Sequence, residues 1–157
     1  MPDWLAHVLF AYVVCKLIGL RYKLSDRADV ALVLIGALLP DITKMRLVLG
    51  LAGIDIQDMI EPLHTPAGSL LLAGLIALLF FDSRRVFLLL ALGAGTHFTL
   101  DLMEDTVGGG VLLLFPLSWQ RYGLGLIPND DWRIGALIAA LALAGMMIRW
   151  TLQRIAR

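Results

Sequence analysis

The chain has 157 residues, 59% of them hydrophobic and only 17% charged, with no net charge and a mean hydropathy of +0.83. A soluble domain of this length is seldom so apolar, so the composition points to an integral membrane protein. The balanced charge excludes the basic face of a general nucleic-acid binder, and no nucleic-acid partner is expected. The single cysteine, Cys15, excludes an internal disulfide and any cysteine-rich metal site.

The first apolar run, Trp4–Leu20, contains His7 and Cys15. Met1-Pro2-Asp3 offers no positive flank, and Lys16, Arg21 and Lys23 come late, so the run reads as a retained span rather than a signal peptide. Cys15 reads as a packed small residue. Arg27–Leu39 is shorter and needs Leu24 and Ser25, or a tilt, to cross; it ends in Leu39-Pro40-Asp41. Met45–Ile54 is too short to span and leads into Asp55, Asp58 and Glu61. Leu63–Phe81 opens on His64-Thr65, and Val86–Met103 carries His97 and Asp101. Val107–Leu117 is again too short, opened by Gly108-Gly109-Gly110 and closed by Pro116. Trp132–Trp150 is the last segment of spanning length.

These elements predict an all-α polytopic membrane helix bundle of about five spans, with short re-entrant or interfacial segments. No repeat or linker interrupts it, so residues 1–157 read as one domain. If the spans alternate, Arg21, Lys23, Arg27, Arg84, Arg85, Arg149, Arg154 and Arg157 share one side. Lys44, Arg46, Arg121 and Arg133 share the other. The richer side is expected to face the cytoplasm of a cell (inner or plasma) membrane.

His97 and Asp101, four residues apart, fall on one helix face one turn apart. An ionisable pair inside an apolar segment is costly, which makes it a functional candidate. Counting a rise of ~1.5 Å per residue from each cytoplasmic end puts His7 at ~20 Å, Asp41 at ~21 Å, His64 at ~26 Å, His97 at ~17 Å and Asp101 at ~23 Å. Five residues from four segments thus reach one level in the outer part of the membrane. Imidazoles and carboxylates gathered this way are a ligand set for a divalent metal, zinc foremost.

Blander roles stand beside these. Asp41 could cap a following helix, and Asp3 could cap the first span or orient His7. Thr65 and Ser69 are weak candidates for hydrogen bonding to substrate. Glu61, Glu104 and Asp105 are candidate general bases in an acidic loop, with Glu61 taken as the catalytic one. Gly36, Ala37, Gly68 and Gly93-Ala94-Gly95 are small residues suited to close helix packing.

The early His7, the Gly36–Asp41 segment, His64-Thr65, Gly95-Thr96-His97-Phe98-Thr99-Leu100-Asp101 and the glycine-rich stretch ending Leu114-Phe115-Pro116-Leu117-Ser118 occur in an order that resembles the YdjM-like membrane-bound metal-dependent hydrolases. That family is in turn similar in ligand order to zinc-dependent phospholipase C and the single-strand-specific nucleases. The resemblance implies that Asp41, His64, His97 and Asp101 hold one zinc and that His7 holds a second, with Asp101 bridging. Two positions depart from the pattern. Thr43 stands where many members carry another aspartate, and Met59-Ile60-Glu61 stands where many carry His-Arg-Gly. With no histidine after His97, one or two ions are expected rather than three.

The expected function is metal-dependent hydrolysis of a phosphoester in a lipid or lipid-linked substrate, with Asp41, Glu61 and Asp101 as catalytic residues. A non-catalytic membrane protein with a structural or regulatory metal site is the alternative. Metal transport ranks last, because the cytoplasmic halves of the spans are apolar apart from Lys16. The topology has its own test. Single cysteines at Arg84 and Arg157 should react with a membrane-impermeant reagent from the cytoplasmic side, and those at Asp105 and Asp131 from outside. The reverse pattern would move the site to the cytoplasmic face.

Overall fold

A computed structural model describes residues 4–19, 26–44, 49–51, 60–105, 109–126 and 144–145. Nearly all of the predicted span Trp132–Trp150, most of Met45–Ile54, and Asp3, Asp55 and Asp58 lie outside these residues. The described architecture is helical. Helices α1 (Trp4–Gly19), α2 (Arg27–Leu38), α3 (Pro66–Ala77) and α4 (Ser83–Met103) are joined by 3-10 turns at Pro40–Lys44 and Glu61–His64. One isolated β-bridge, Val111 with Tyr122, is added.

Helix α4 is the central element, with α1, α2 and α3 all packed against it. Ala11, Cys15, Val33, Ala37 and Leu89 form one buried cluster, and Leu39, Ala73, Ala77, Val86 and Leu90 another. Cys15 is packed inside the first of them, as its residue type suggested. The outward faces stay apolar: Leu71, Leu75, Leu78, Leu79 and Leu88 are all more than half exposed. Such a surface suits lipid rather than water.

Helix lengths revise the expected spans. At ~1.5 Å per residue the 21 residues of α4 rise ~32 Å, enough for a ~30 Å hydrocarbon core. Among the described helices it alone is long and apolar enough to cross. Leu63–Phe81, expected as one span, is instead a 3-10 turn, a 12-residue helix and a set of turns. The cause is local. Pro66 starts the helix, where its missing N–H costs nothing, and the Thr65 hydroxyl accepts from Gly68 N at 3.1 Å.

The α2–α4 crossing is set by glycine. A Cβ on Gly36 would lie 2.2 Å from the Leu90 carbonyl oxygen, and one on Gly93 would lie 2.1 Å from that of Val33. Gly95, grouped with these in the sequence reading, has open space where a Cβ would go. At one end of the crossing the buried Asp29 carboxylate accepts from Arg85 Nη2 at 2.7 Å, tying the two helices together.

The segment 109–126 closes over the end of α4. Val111 and Tyr122 exchange backbone bonds of 2.7 and 2.9 Å, while Leu124 and Leu126 N–H groups bond the carbonyls of Leu102 and Met103. Those carbonyls belong to a last helical turn, which has no partners of its own. The part of Val107–Leu117 that is described is accordingly turn rather than helix.

Substitution at the crossing should separate packing from propensity. Gly36→Ala and Gly93→Ala should each destabilise the protein by ~1–3 kcal/mol, the usual cost of overpacking a backbone contact. Gly95→Ala should leave the melting temperature unchanged or slightly raised, since alanine is the better helix former. Thermal unfolding in detergent measures all three.

Candidate metal centre

His97 is anchored first. Its Nδ1 lies 2.8 Å from the carbonyl oxygen of Ala37, in the last turn of α2, where carbonyls lack intrahelical partners. A carbonyl only accepts, so Nδ1 carries the proton and Nε2 presents a lone pair. This is the arrangement that orients a metal-ligating histidine. The ring is fully buried, and Asp101, one turn on, is 4% exposed.

His64 reaches the same point from the second 3-10 turn, not from a helix as expected. The Thr65 hydroxyl donates to Pro62 O at 2.7 Å, and Ser69 Oγ donates to Leu63 O at 2.8 Å. Both hydroxyls, read from sequence as candidates for substrate, are spent on holding this turn. Asp41 comes from the first 3-10 turn, which begins at Pro40, and is 4% exposed. His7, from α1, stacks on His97 with ring centroids 3.8 Å apart and planes at 14°.

The donor atoms converge. His97 Nε2 lies 3.2 Å from Asp101 Oδ2, His64 Nε2 lies 3.3 Å from the same oxygen, and the two Nε2 atoms are 3.4 Å apart. Four bonds of ~2.0–2.1 Å at tetrahedral angles set ligand atoms ~3.3–3.4 Å apart, so this triangle has the size of one face of a zinc coordination sphere. Asp41 Oδ1 stands slightly back, 3.8 Å from His64 Nε2 and 4.0 Å from His97 Nε2. The other oxygen of Asp101 lies 3.4 Å from His7 Nε2. Two overlapping sets of potential ligands result, His7 with His97 and Asp101, and Asp41 with His64 and His97.

Electrostatics favours a cation here. The lone pair of His97 Nε2 faces a carboxylate oxygen, an arrangement that repels unless a proton or a metal ion lies between. One proton bridges one pair of acceptors, whereas one metal ion serves four. Among the described residues neither ring nitrogen of His7 has a hydrogen-bond partner, although both are buried. Each unsatisfied polar atom of this kind costs ~1–3 kcal/mol. A divalent ion fits the donors on both counts.

Other candidates fall elsewhere. Glu61 is half-exposed and accepts from Arg121 Nη2 at 2.9 Å, so it ties the 109–126 segment to the rim and joins neither ligand set. Asp105 is exposed, and Glu104 is buried at the C-cap of α4. Asp3 lies outside the described residues. Lys44, which the sequence places only among the basic residues of one side, stands in the site. Its ammonium pairs with Asp41 Oδ2 and lies 5.7 Å from the centre of the Trp4 ring. The signal was available, because residues three apart eclipse on a 3-10 turn.

The chain matches the YdjM inner membrane protein family over residues 1–156 and belongs to that family. No curated protein and no solved structure matches it.

Asp101 discriminates between readings of this cluster. Asp101→Asn keeps size but removes the charge, and an amide is a poor zinc ligand, so the purified variant should lose at least one equivalent of metal while still inserting. Asp105→Asn, exposed beyond the helix end, should lose none. Elemental analysis of both proteins checks this. Full metal content in Asp101→Asn would reduce the aspartate to a structural role.

Proposed function

We propose that this member of the YdjM family is a membrane-embedded metal-dependent hydrolase acting on a phosphoester in a lipid or lipid-linked substrate. The observation that carries the reading is the triangle of His64, His97 and Asp101 donor atoms, two of its residues buried and His64 half-buried, sized for a tetrahedral ion and set among helices with lipid-suited faces. The likeness in ligand order to zinc-dependent phospholipase C and the single-strand-specific nucleases supports the choice of bond.

In this proposal His64, His97 and Asp101 hold a divalent ion, zinc by ligand type. His7 shares Asp101 with it, as the holder of a second ion or as a neutral neighbour. When bound, such an ion supplies Lewis acidity, polarising a phosphoryl oxygen and bringing the pKa of water toward neutrality. Asp41 Oδ1 stands far enough back to accept a proton from the attacking water. Lys44 keeps that carboxylate oriented through its other oxygen. Glu61, bound to Arg121, orders the rim of the site. The proposal keeps a bundle of about five spans, and the basic-residue bias supports a site toward the outer face. A substrate then arrives sideways from the outer leaflet.

A specific observation favours the second reading, a structural site. Asp41 is close enough to become a fourth protein ligand, and closed four-ligand sites are structural. Activity decides between them. Protein reconstituted in phospholipid nanodiscs should release phosphate or a phosphorylated head group from a panel of mono- and diester lipids. Chelation should abolish this and zinc should restore it. His97→Ala should lower the rate by ~100-fold or more, the upper range for loss of a residue that supports metal binding. A fully metal-loaded, folded protein inert toward every lipid of the panel would overturn the hydrolase reading.

A further inference from the structure

A shallow apolar groove opens on the outside of the bundle beside the metal cluster. Trp4, Ile35, Leu38, Leu39 and Ile42 line it, and Asp41 is the one charged residue on its wall. Its volume is about 320 Å³. Trp4, Ile35, Leu38 and Ile42 are between 37% and 54% exposed, so the groove faces the surroundings of the bundle rather than its interior. At the Asp41 end stands Lys44, beside both the carboxylate and the Trp4 ring. Its apolar walls, Trp4, Ile35, Leu38, Leu39 and Ile42, belong to neither set of potential ligands.

We propose that the groove is the chain subsite of the substrate, seating part of one hydrocarbon chain of an anionic membrane phospholipid whose phosphoryl group lies against Lys44 and the metal cluster. The proposal rests on the reading of the cluster as a lipid-hydrolysing centre. Size, polarity and charge each point the same way. Ligand pockets run from ~300 to ~1,000 Å³, so a cavity at the lower bound holds part of one chain rather than a whole two-chain lipid. Its walls give a hydrocarbon nothing polar to desolvate except Asp41, and Lys44 already pairs with that carboxylate.

Charge then selects the head group. An ammonium has three N–H donors, and Asp41 uses one of them. Two carboxylates, one lysine and one divalent ion leave a net charge of plus one, which attracts an anionic group in a low-dielectric setting. Tryptophan favours the membrane–water interface, with an apolar body and a polar N–H. Trp4 therefore belongs at head-group level, where a phosphoryl group also lies. Ile35 and Leu38 line the same groove and supply apolar wall for the chain.

Photocrosslinking tests this without relying on turnover. Nanodiscs holding the metal-loaded protein are doped with phosphatidic acid bearing a diazirine on one acyl chain, or with phosphatidylcholine of the same chain. Adducts from the first probe should concentrate on Trp4, Ile35, Leu38 and Ile42, exceeding those from the second by about fivefold, the effect of one basic residue at an anionic surface. Lys44→Met should erase that preference and keep the labelled positions. Leu38→Trp, which fills the groove, should remove the labelling.

Labelling by phosphatidic acid spread over Leu71, Leu78 and other outward positions, with no enrichment in the groove, would overturn the proposal. Equal groove labelling by the two lipids would do so as well. The wild-type map stands on its own if a variant fails to fold. Groove labelling in a protein without hydrolase activity would remove the catalytic reading alone. Active protein without groove labelling would remove this inference alone.

Discussion

The contact between His97 and the end of α2 is the constraint on which the site depends. Pro40 has no N–H, so α2 ends at Leu38 and its last carbonyls seek partners elsewhere. The Ala37 carbonyl takes the Nδ1 proton of His97, which fixes the tautomer and aims Nε2 at Asp101 and His64. The same proline opens the 3-10 turn that delivers Asp41 and Lys44. One break in a helix therefore orients a histidine on α4 and supplies the carboxylate that faces it.

Reaching Ala37 requires α4 to lie almost against the α2 backbone. Gly36 and Gly93 make that approach possible, since a Cβ on either would overlap the facing carbonyl. The two helices run the same way, with Asp29 beside Arg85 at one end and Ala37 beside His97 at the other. Both ends are pinned by a polar bond and the middle is fixed by steric fit. Sliding by one residue would break all three contacts, so the register of the donors is set by packing.

What was legible in the sequence follows from locality. The i,i+4 spacing of His97 and Asp101, and the shared depth of His7, Asp41 and His64, need only helical geometry and a count of residues, and the structure brings all five together. Hydropathy misled where capping chemistry had the stronger claim. Leu63–Phe81 is apolar enough to suggest a span, yet Thr65-Pro66 is a helix start and leaves His64 on a separate turn. Lys44 escaped because the Asp41 turn was not read as 3-10. The pairing of Glu61 with Arg121 links positions 60 residues apart, which no local pattern encodes. The exposure of Gly95 depends on the phase of α4 against its neighbours, and residue size says nothing of that.

Three of the candidate ligands have an anchor that owes nothing to an ion. His97 has the Ala37 carbonyl, the turn of His64 has the Thr65 and Ser69 hydroxyls, and Asp41 has Lys44. His7 differs, held by stacking on His97 with no hydrogen bond to either nitrogen among the described residues. A site whose supporting contacts lock its side chains spends little binding energy on ordering them. The two anchored histidines, with Asp101 one turn from His97, therefore define the tighter locus for a cation, and Asp41 is held in place beside it. His7 is left as the donor with the most freedom to move, suited to a second, weaker ion or to adjustment as substrate binds. The hierarchy of anchors thus predicts a hierarchy of ligands, in which His64 and His97 keep their geometry about Asp101 Oδ2 and the His7 side is where the centre can change.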